Sequence, residues 1–469
     1  MDETVVIISD LHLGQNDDFD IFAGPAKSQT FVDFMKFMGT RAGTVEVVIN
    51  GDFVDFLQLR PWDVKVDRET AAKKIKNIVA AHKDTVFRAL GEFLASPSHK
   101  VTVLLGNHDI ELAFPEVWKH VVDAILEVVT GATADRLSSL AIDRTRITYV
   151  KPVGGVLVHI EHGNMDDPYN GMNYTALFQD AERGTDKFAY PPGTQLVYDI
   201  MNRHKAEFRF VDLLKPEVPA VPLLLMALKP KAVVDVPGIG LKSLAALGNG
   251  FIGWLRTKIS GPTLGRAGEA TPQEADENQL SKDIAAAYQD ATDTAGGITQ
   301  ADAALLQQFF ESSGEDQIAV QPVLGPSIEG AKKRLVQAAI RSLGRPVDLR
   351  DTTYYYLDHR DRDDVKWAQE RLTGKVKVVV FGHTHRPLKT EFEGGGLYLN
   401  SGAWANQITL PAPADNLSDW MSRIRTNSDQ NRAAFPTYIT LTAEDGGATA
   451  SLNVWEGAER SLWRKHIPV

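Results

Sequence analysis

Cysteine is absent from all 469 residues. That excludes disulfides, thiolate metal sites, iron–sulfur clusters and a cysteine nucleophile, so any metal must be held by His, Asp, Glu or Asn. No apolar run reaches the roughly 20 residues that a membrane-spanning helix requires. A basic leader with a cleavage site is missing too, since the first residues run straight into the strand-like Val5-Val6-Ile7-Ile8. That is not a signal-peptide pattern, and the expected location is cytoplasmic. Positive charge is in deficit, 50 Lys and Arg against 61 Asp and Glu, for a net charge of -11. Wholesale electrostatic binding of nucleic acid is therefore disfavoured, although a local basic groove is not. What is present is 43% hydrophobic and 24% charged residues, the composition of a soluble globular protein. The length exceeds one ordinary domain, which points to two domains or to one domain with a large insertion.

Residues 1–164 alternate strand-like runs with amphipathic helical patterns. The runs Thr4–Ser9, Val45–Asn50, Val101–Leu105 and Gly155–Ile160 are short, β-branched and continuous, as strands buried on both faces should be. One helical stripe carries Phe31, Phe34, Met35 and Met38 and stops at Gly39; a second runs from Ile75 to Phe93; a third opens at Pro115 and ends at Gly131. This alternation implies a largely parallel sheet with helical cover. The pattern returns near the C-terminus, with a short helix around Val365–Leu372 and the run Val376–Phe381. Two hairpins follow, one around Gly394-Gly395-Gly396 and one joining Tyr438–Thr442 to Ala450–Trp455. The last strands alternate more cleanly and are expected to form a second, more antiparallel sheet.

The middle differs. Residues 218–266 hold six Lys or Arg against one acid, a local balance of +5, around the apolar run Pro222–Leu228. Residues 267–316 hold eleven Asp or Glu against Lys282, a balance of -10. Thr299 with Asp302 resembles a capping box, and Ser327–Leu343 reads as a helix. The division expected is a core in two parts, 1–164 and 365–469, interrupted by a mostly helical cap at 165–364.

Five of the strand-like runs end in metal-capable residues: Asp10-Leu11-His12, Gly51-Asp52-Phe53-Val54-Asp55, Gly106-Asn107-His108-Asp109, His162-Gly163 and Gly382-His383-Thr384-His385. In an open α/β sheet, ligands bind at the carboxyl ends of the strands, so these distant stretches should converge. Each piece alone reads as an ordinary polar turn; all five in order, each after a strand, do not. Carboxylate, imidazole and amide donors in this number suit a pair of divalent metals such as Mn, Fe or Zn. Two such ions can generate hydroxide at neutral pH and clamp a phosphoryl oxygen. Asp52 is the best shared ligand, because a carboxylate bridges two ions where an imidazole cannot.

In this order the motifs resemble the calcineurin-like metallophosphoesterase superfamily, over both flanking thirds of the chain. The resemblance implies a four-layer αββα sandwich with a dinuclear site and attack by a metal-bridging hydroxide. It places one metal on Asp10, His12, Asp52 and His385, and the other on Asp52, Asn107, His162 and His383. It makes His108 the residue acting on the leaving group, steadied by Asp109. Asp55 would stand behind the ligands or cap a turn. Protein Ser/Thr phosphatases of this superfamily carry Arg and Glu where Phe56 and Asp109 stand, which argues against that branch. Ser9-Asp10-Leu11-His12-Leu13-Gly14 and the Gly-His-Thr-His-Arg-Pro run also resemble UDP-diacylglucosamine pyrophosphohydrolases. Those enzymes have Arg in place of His108 and usually Asp in place of Asn164, and are much shorter, so their substrate is not carried over.

Among the other histidines, His82 and His159 read as core, while His99, His120 and His466 read as surface. His204 and His359 read as solvated surface too, within reach of a substrate phosphate at most. The stretch 218–266 either meets an anionic membrane surface or a lipid-linked phosphate, or forms cap helices whose lysines snorkel to solvent. A cap of this size needs a core of its own, which favours the second. The expected activity is that of a phosphatase or phosphodiesterase acting on a small-molecule or lipid-linked phosphate ester, diester or pyrophosphate. The alternatives are a manganese-dependent nuclease and a non-catalytic scaffold that binds metal. Oligomeric state is not legible.

Overall fold

In a computed structural model the residues described are 3–62, 67–139, 148–183, 190–191, 193–194, 197–205, 208, 211–213, 363–408, 432–433 and 435–469. Five expectations lie outside them: the +5 stretch, the -10 stretch, the Thr299 capping box, the Ser327–Leu343 helix and His359.

The alternation of side chains along each strand builds the layers. In β1 (Glu3–Ile8), Val6 and Ile8 join one apolar core, whereas Val5 and Ile7 join another. The first core lies under α1 (Pro25–Gly39), α2 (Arg68–His82), α3 (Arg88–Leu94) and α4 (Pro115–Glu127). It also takes Val47 and Ile49 of β2 (Thr44–Asn50) and Val101 and Val103 of β3 (His99–Leu104). The second core is the space between two sheets: Val5, Ile7 and Val48 face Val158, Val378 and Leu399. A third core sits on the far side, where Val379, Phe381 and Tyr398 meet Val365 and Ala368 of α6 (Asp363–Arg371). The order helix, sheet, sheet, helix is the expected αββα sandwich.

The first sheet has seven strands. Its parallel half is β1, β2, β3 and β4 (Leu137–Ser139); its antiparallel half is β12 (Thr437–Glu444), β13 (Gly447–Trp455) and β14 (Glu459–Pro468), joined through β1 and β12. This corrects one expectation. The C-terminal hairpin extends the first sheet, because Ile439 and Leu441 enter the inter-sheet core beside Val5 and Ile7. The second sheet comprises β5 (Tyr149–Val153), β6 (Val156–Ile160), β7 (Val376–Phe381), β9 (Leu397–Asn400) and β8 (Leu388–Glu391), in that order.

The second helical pattern, expected as one helix, is broken by a π turn at Lys83–Phe87 between α2 and α3. Residues 165–183 belong by sequence to the expected cap, yet α5 (Tyr174–Arg183) seats Tyr174, Leu177 and Phe178 in the first core. No helix among the described residues is long and apolar enough to cross a membrane.

Candidate metal centre

The carboxyl ends of β1, β2 and β3 meet those of β6 and β7 at one rim. Asn50, the last residue of β2, ties the two sheets together there. Its side chain donates to the Glu161 carbonyl at 2.8 Å, and its own carbonyl accepts from His162 Nδ1 at 2.9 Å. The loops are zipped further by backbone bonds: His12 N–H donates to the Asp52 carbonyl and Gly382 N–H to the His162 carbonyl, both at 2.9 Å.

Six non-glycine residues among those described have left-handed backbone. Five of them are Asp10, His12, Asp52, His383 and His385, with φ between 51° and 64°; Asn16 is the sixth. Asp and His tolerate this region better than most side chains, yet each such residue costs on the order of 1 kcal/mol. Clustering of that strain at one rim is the mark of a site whose side chains must point inward.

The atoms do converge. Donor atoms of Asp10, His12, Asp52 and His385, all buried, lie within 4.8 Å of one another. His12 Nε2 faces His385 Nε2 at 3.0 Å, and Asp10 Oδ1 stands 3.2 Å from His385 Nε2. Asp52 Oδ2 is 3.5 Å from His12 Nε2 and 3.2 Å from His162 Nε2, so it reaches both halves of the cluster. The His162 and His383 rings lie edge to face at 5.3 Å. Asn107 Oδ1 is buried without a hydrogen bond, while Asp10 Oδ1 and His162 Nε2 have only ion-pair partners, the nearest at 3.2 Å. Leaving a buried polar atom unpaired costs about 1–3 kcal/mol, which a cation beside it would recover. The donor set and this unpaired oxygen fit divalent metal.

The electrostatics agree. Burial would raise Asp10, but His385 and His162 outweigh it and hold the carboxyl at about 2. Asp52 and Asp55 are likewise drawn well below the usual carboxylate range, against burial, by His162 and His108 respectively. Burial opposes charge on His162, yet Asp52 and Asp10 push it up to about 10. The cluster of carboxylates thus demands positive charge, which protonated imidazole supplies in place of metal.

Residues 3–209 match the family model described as calcineurin-like phosphoesterase. Those residues belong to the calcineurin-like phosphoesterases. Metal-dependent hydrolysis of phosphoester bonds is accordingly the activity class of this protein. The match stops before His383 and His385, which β7 delivers to the same rim. Two solved structures are similar to the phosphoesterase, though distantly. A predicted phosphoesterase from Streptococcus pneumoniae is 9% identical, with 100% of this chain and 99% of that one covered and a TM-score of 0.25. A dimetal phosphatase from Danio rerio is 11% identical, with 99% and 98% covered and a TM-score of 0.32. No curated protein matches the sequence.

Within the phosphoesterase, Asp109 departs from its expected part. Its two oxygens accept the backbone N–H groups of Gly106 and Phe53, at 2.7 and 2.8 Å, and lock the turn between them. Burial and the nearby Asp52 charge push it up to about 8, a shift those two donors oppose. His108 is held instead by Asp55: Oδ2 lies 3.0 Å from His108 Nδ1 and 2.8 Å from His12 Nδ1. Asp55 fills both offered parts, since its Oδ1 caps the Leu57 and Gln58 N–H groups. Two residues escaped the sequence reading. Asp167 Oδ2 lies 2.8 Å from His383 Nε2, and Asn170 Oδ1 accepts from Asn107 Nδ2 at 3.4 Å.

The remaining histidines sort by environment. His82 is core as expected, bonded to the Gly14 carbonyl at 3.0 Å. His159 is only half-buried and pairs with Glu161 at 2.8 Å. His99, expected at the surface, is buried, stacked on Phe93 and bonded to its carbonyl.

Gly106 is required by close approach. A Cβ there would stand 2.0 Å from Asp52 Oδ1 and 2.5 Å from Asp52 N. Since the backbone atom cannot yield, Gly106→Ala is expected to cost about 1–3 kcal/mol in stability and to displace Asp52. Thermal melts with metal analysis check this; an unchanged melting point with full metal content would contradict it.

Proposed function

We propose that the phosphoesterase works with two divalent cations, of the manganese, iron or zinc kind. Asp10, His12, Asp52 and His385 would hold one; Asp52, Asn107, His162 and His383 would hold the other. The observation that carries this reading is the buried four-residue donor cluster of Asp10, His12, Asp52 and His385, with Asp52 Oδ2 also 3.2 Å from His162 Nε2. When bound, such a pair supplies hydroxide near neutral pH and offsets charge on a phosphoryl oxygen. The chain's own side chains are set for that task. His12 and His162 each commit Nδ1 to a partner, Asp55 and the Asn50 carbonyl, which leaves Nε2 to face inward. His108, steadied by Asp55, would give a proton to the departing oxygen.

The substrate proposed is a small-molecule or lipid-linked phosphate ester, diester or pyrophosphate. The net charge of -11 speaks against a polyanionic duplex. A cytoplasmic location belongs to the same proposal, with 218–266 forming cap helices in preference to meeting a membrane.

The test is a panel on manganese-loaded protein: a phosphomonoester, a phosphodiester, a nucleotide pyrophosphate and a phospholipid. Turnover of at least one, lost on chelation and regained with metal, is expected; none across the panel with two ions bound would defeat the reading. Chelation should also lower the melting temperature. Each site filled to 100 times its Kd contributes about 2.7 kcal/mol, or about 3 °C in a protein of this size. Unchanged melts with and without chelator would count against two buried cation sites.

A further inference from the structure

The loop after His162 carries a network that no strand-end motif accounts for. Asp167 Oδ2 accepts from His383 Nε2 at 2.8 Å and from Asn170 Nδ2 at 2.9 Å. Asn170 Oδ1 in turn accepts from Asn107 Nδ2 at 3.4 Å. The pair is itself braced. Asp167 Oδ1 accepts the Tyr169 N–H at 2.8 Å, and Asn164 Nδ2 donates to the Asn170 carbonyl at 2.9 Å. Tyr174 of α5, buried in the first core, donates to Asn164 Oδ1 at 3.0 Å. Arg371 of α6 closes the other side by pairing with Asp166 and, at 3.1 Å, with Glu161.

Two chemical choices follow from these bonds. An asparagine can bind a cation only through its oxygen, so Nδ2 must be turned away; Asn170 Oδ1 is what turns it, and Asn107 Oδ1 is left buried and unpaired. A neutral histidine that donates from one ring nitrogen keeps its lone pair on the other; Asp167 accepts from His383 Nε2 and so leaves the lone pair on Nδ1. One carboxylate and one amide, bonded to each other, therefore set both ligands.

We infer that Asp167 and Asn170 are positioning residues that orient His383 and Asn107 as ligands of one cation and not of the other. The inference rests on the two-cation reading. The cation held by Asp10, His12 and His385 is served by different partners, chiefly Asp55, so the effect of this loop is confined to one site.

The experiment is calorimetric titration of metal-free full-length protein with manganese, read as the number and affinity of bound ions. Wild type should bind two. Asp167→Ala should bind one ion with unchanged affinity and the second about 10–100-fold more weakly. Asn170→Ala should weaken the same ion, and Asp167→Asn, which retains an acceptor for His383, should recover most of the loss. Circular dichroism on each variant shows whether it is folded, and Asn170→Ala carries the test if Asp167→Ala is not. Two unchanged affinities in the folded alanine variants, or equal weakening of both ions, would overturn the inference while leaving two cations in place. Fewer than two ions on wild type would overturn the inference together with the reading beneath it.

Discussion

Asp52→Ala should abolish turnover, by about 10³-fold or more, and should leave the protein unable to retain its full complement of metal. The reason is positional. Asp52 Oδ2 is within reach of both His12 and His162, at 3.5 and 3.2 Å, so its removal strips both halves of the site together. Lewis-acid stabilisation at a phosphoryl centre amounts to several kcal/mol, and about 1.36 kcal/mol is tenfold in rate. A second loss adds to the first. Asp52 Oδ1 accepts the His108 N–H at 2.9 Å, so the turn that presents His108 is released as well. His162 would also lose the strongest of the charges that raise it against its burial. Asp52→Asn separates these effects, since the amide oxygen can still accept from His108 N–H while its charge is gone. Metal content and kcat on the best substrate of the panel decide the matter. Activity within a few-fold of wild type in Asp52→Ala would end the shared-ligand assignment.

The rim was legible because its physics is local to each strand end. Strands buried on both faces read as unbroken apolar runs, so the polar residues that follow them stand out, and a parallel sheet forces those ends together. What escaped depends on contacts between elements. β5 carries Pro152, which is tolerated because β5 is an edge strand of the second sheet. The charges of Glu459–Pro468 do not read as an apolar strand, yet charged side chains are how an exposed sheet edge such as β14 is protected. His99 sits among Ser and Lys in sequence, but its ring stacks on Phe93 as β3 begins. The resemblance pairs Asp109 with His108, whereas the side chains of these neighbours diverge and the aspartate that meets the ring comes from another loop. Asp167 and Asn170 follow no strand end, so nothing in their spacing marked them.

His108→Asn separates the chemistry from the metal. The variant should bind manganese as wild type does, because the four-donor group of Asp10, His12, Asp52 and His385 does not include His108, which stands with His12 and Asp55 in a second, three-donor group. Its kcat should fall by about 10²–10⁴-fold, the usual contribution of a positioned proton donor. The loss should grow as the leaving group becomes more basic, since an activated phenolate departs without a proton and an alkoxide does not. The structure specifies how the ring is aimed. Asp55 Oδ2 takes Nδ1, so Nε2 is the nitrogen left to act, and the same oxygen also holds His12 Nδ1. Asp55→Asn should therefore lower kcat too, and unlike His108→Asn it should also weaken metal binding through His12. A series of aryl and alkyl esters gives the slope of log kcat against leaving-group pKa. If that slope is the same in wild type and His108→Asn, the histidine does not protonate the leaving oxygen. If His108→Asn loses metal, the ring is a ligand and Asp55 supports an imidazole on the cation side of the rim.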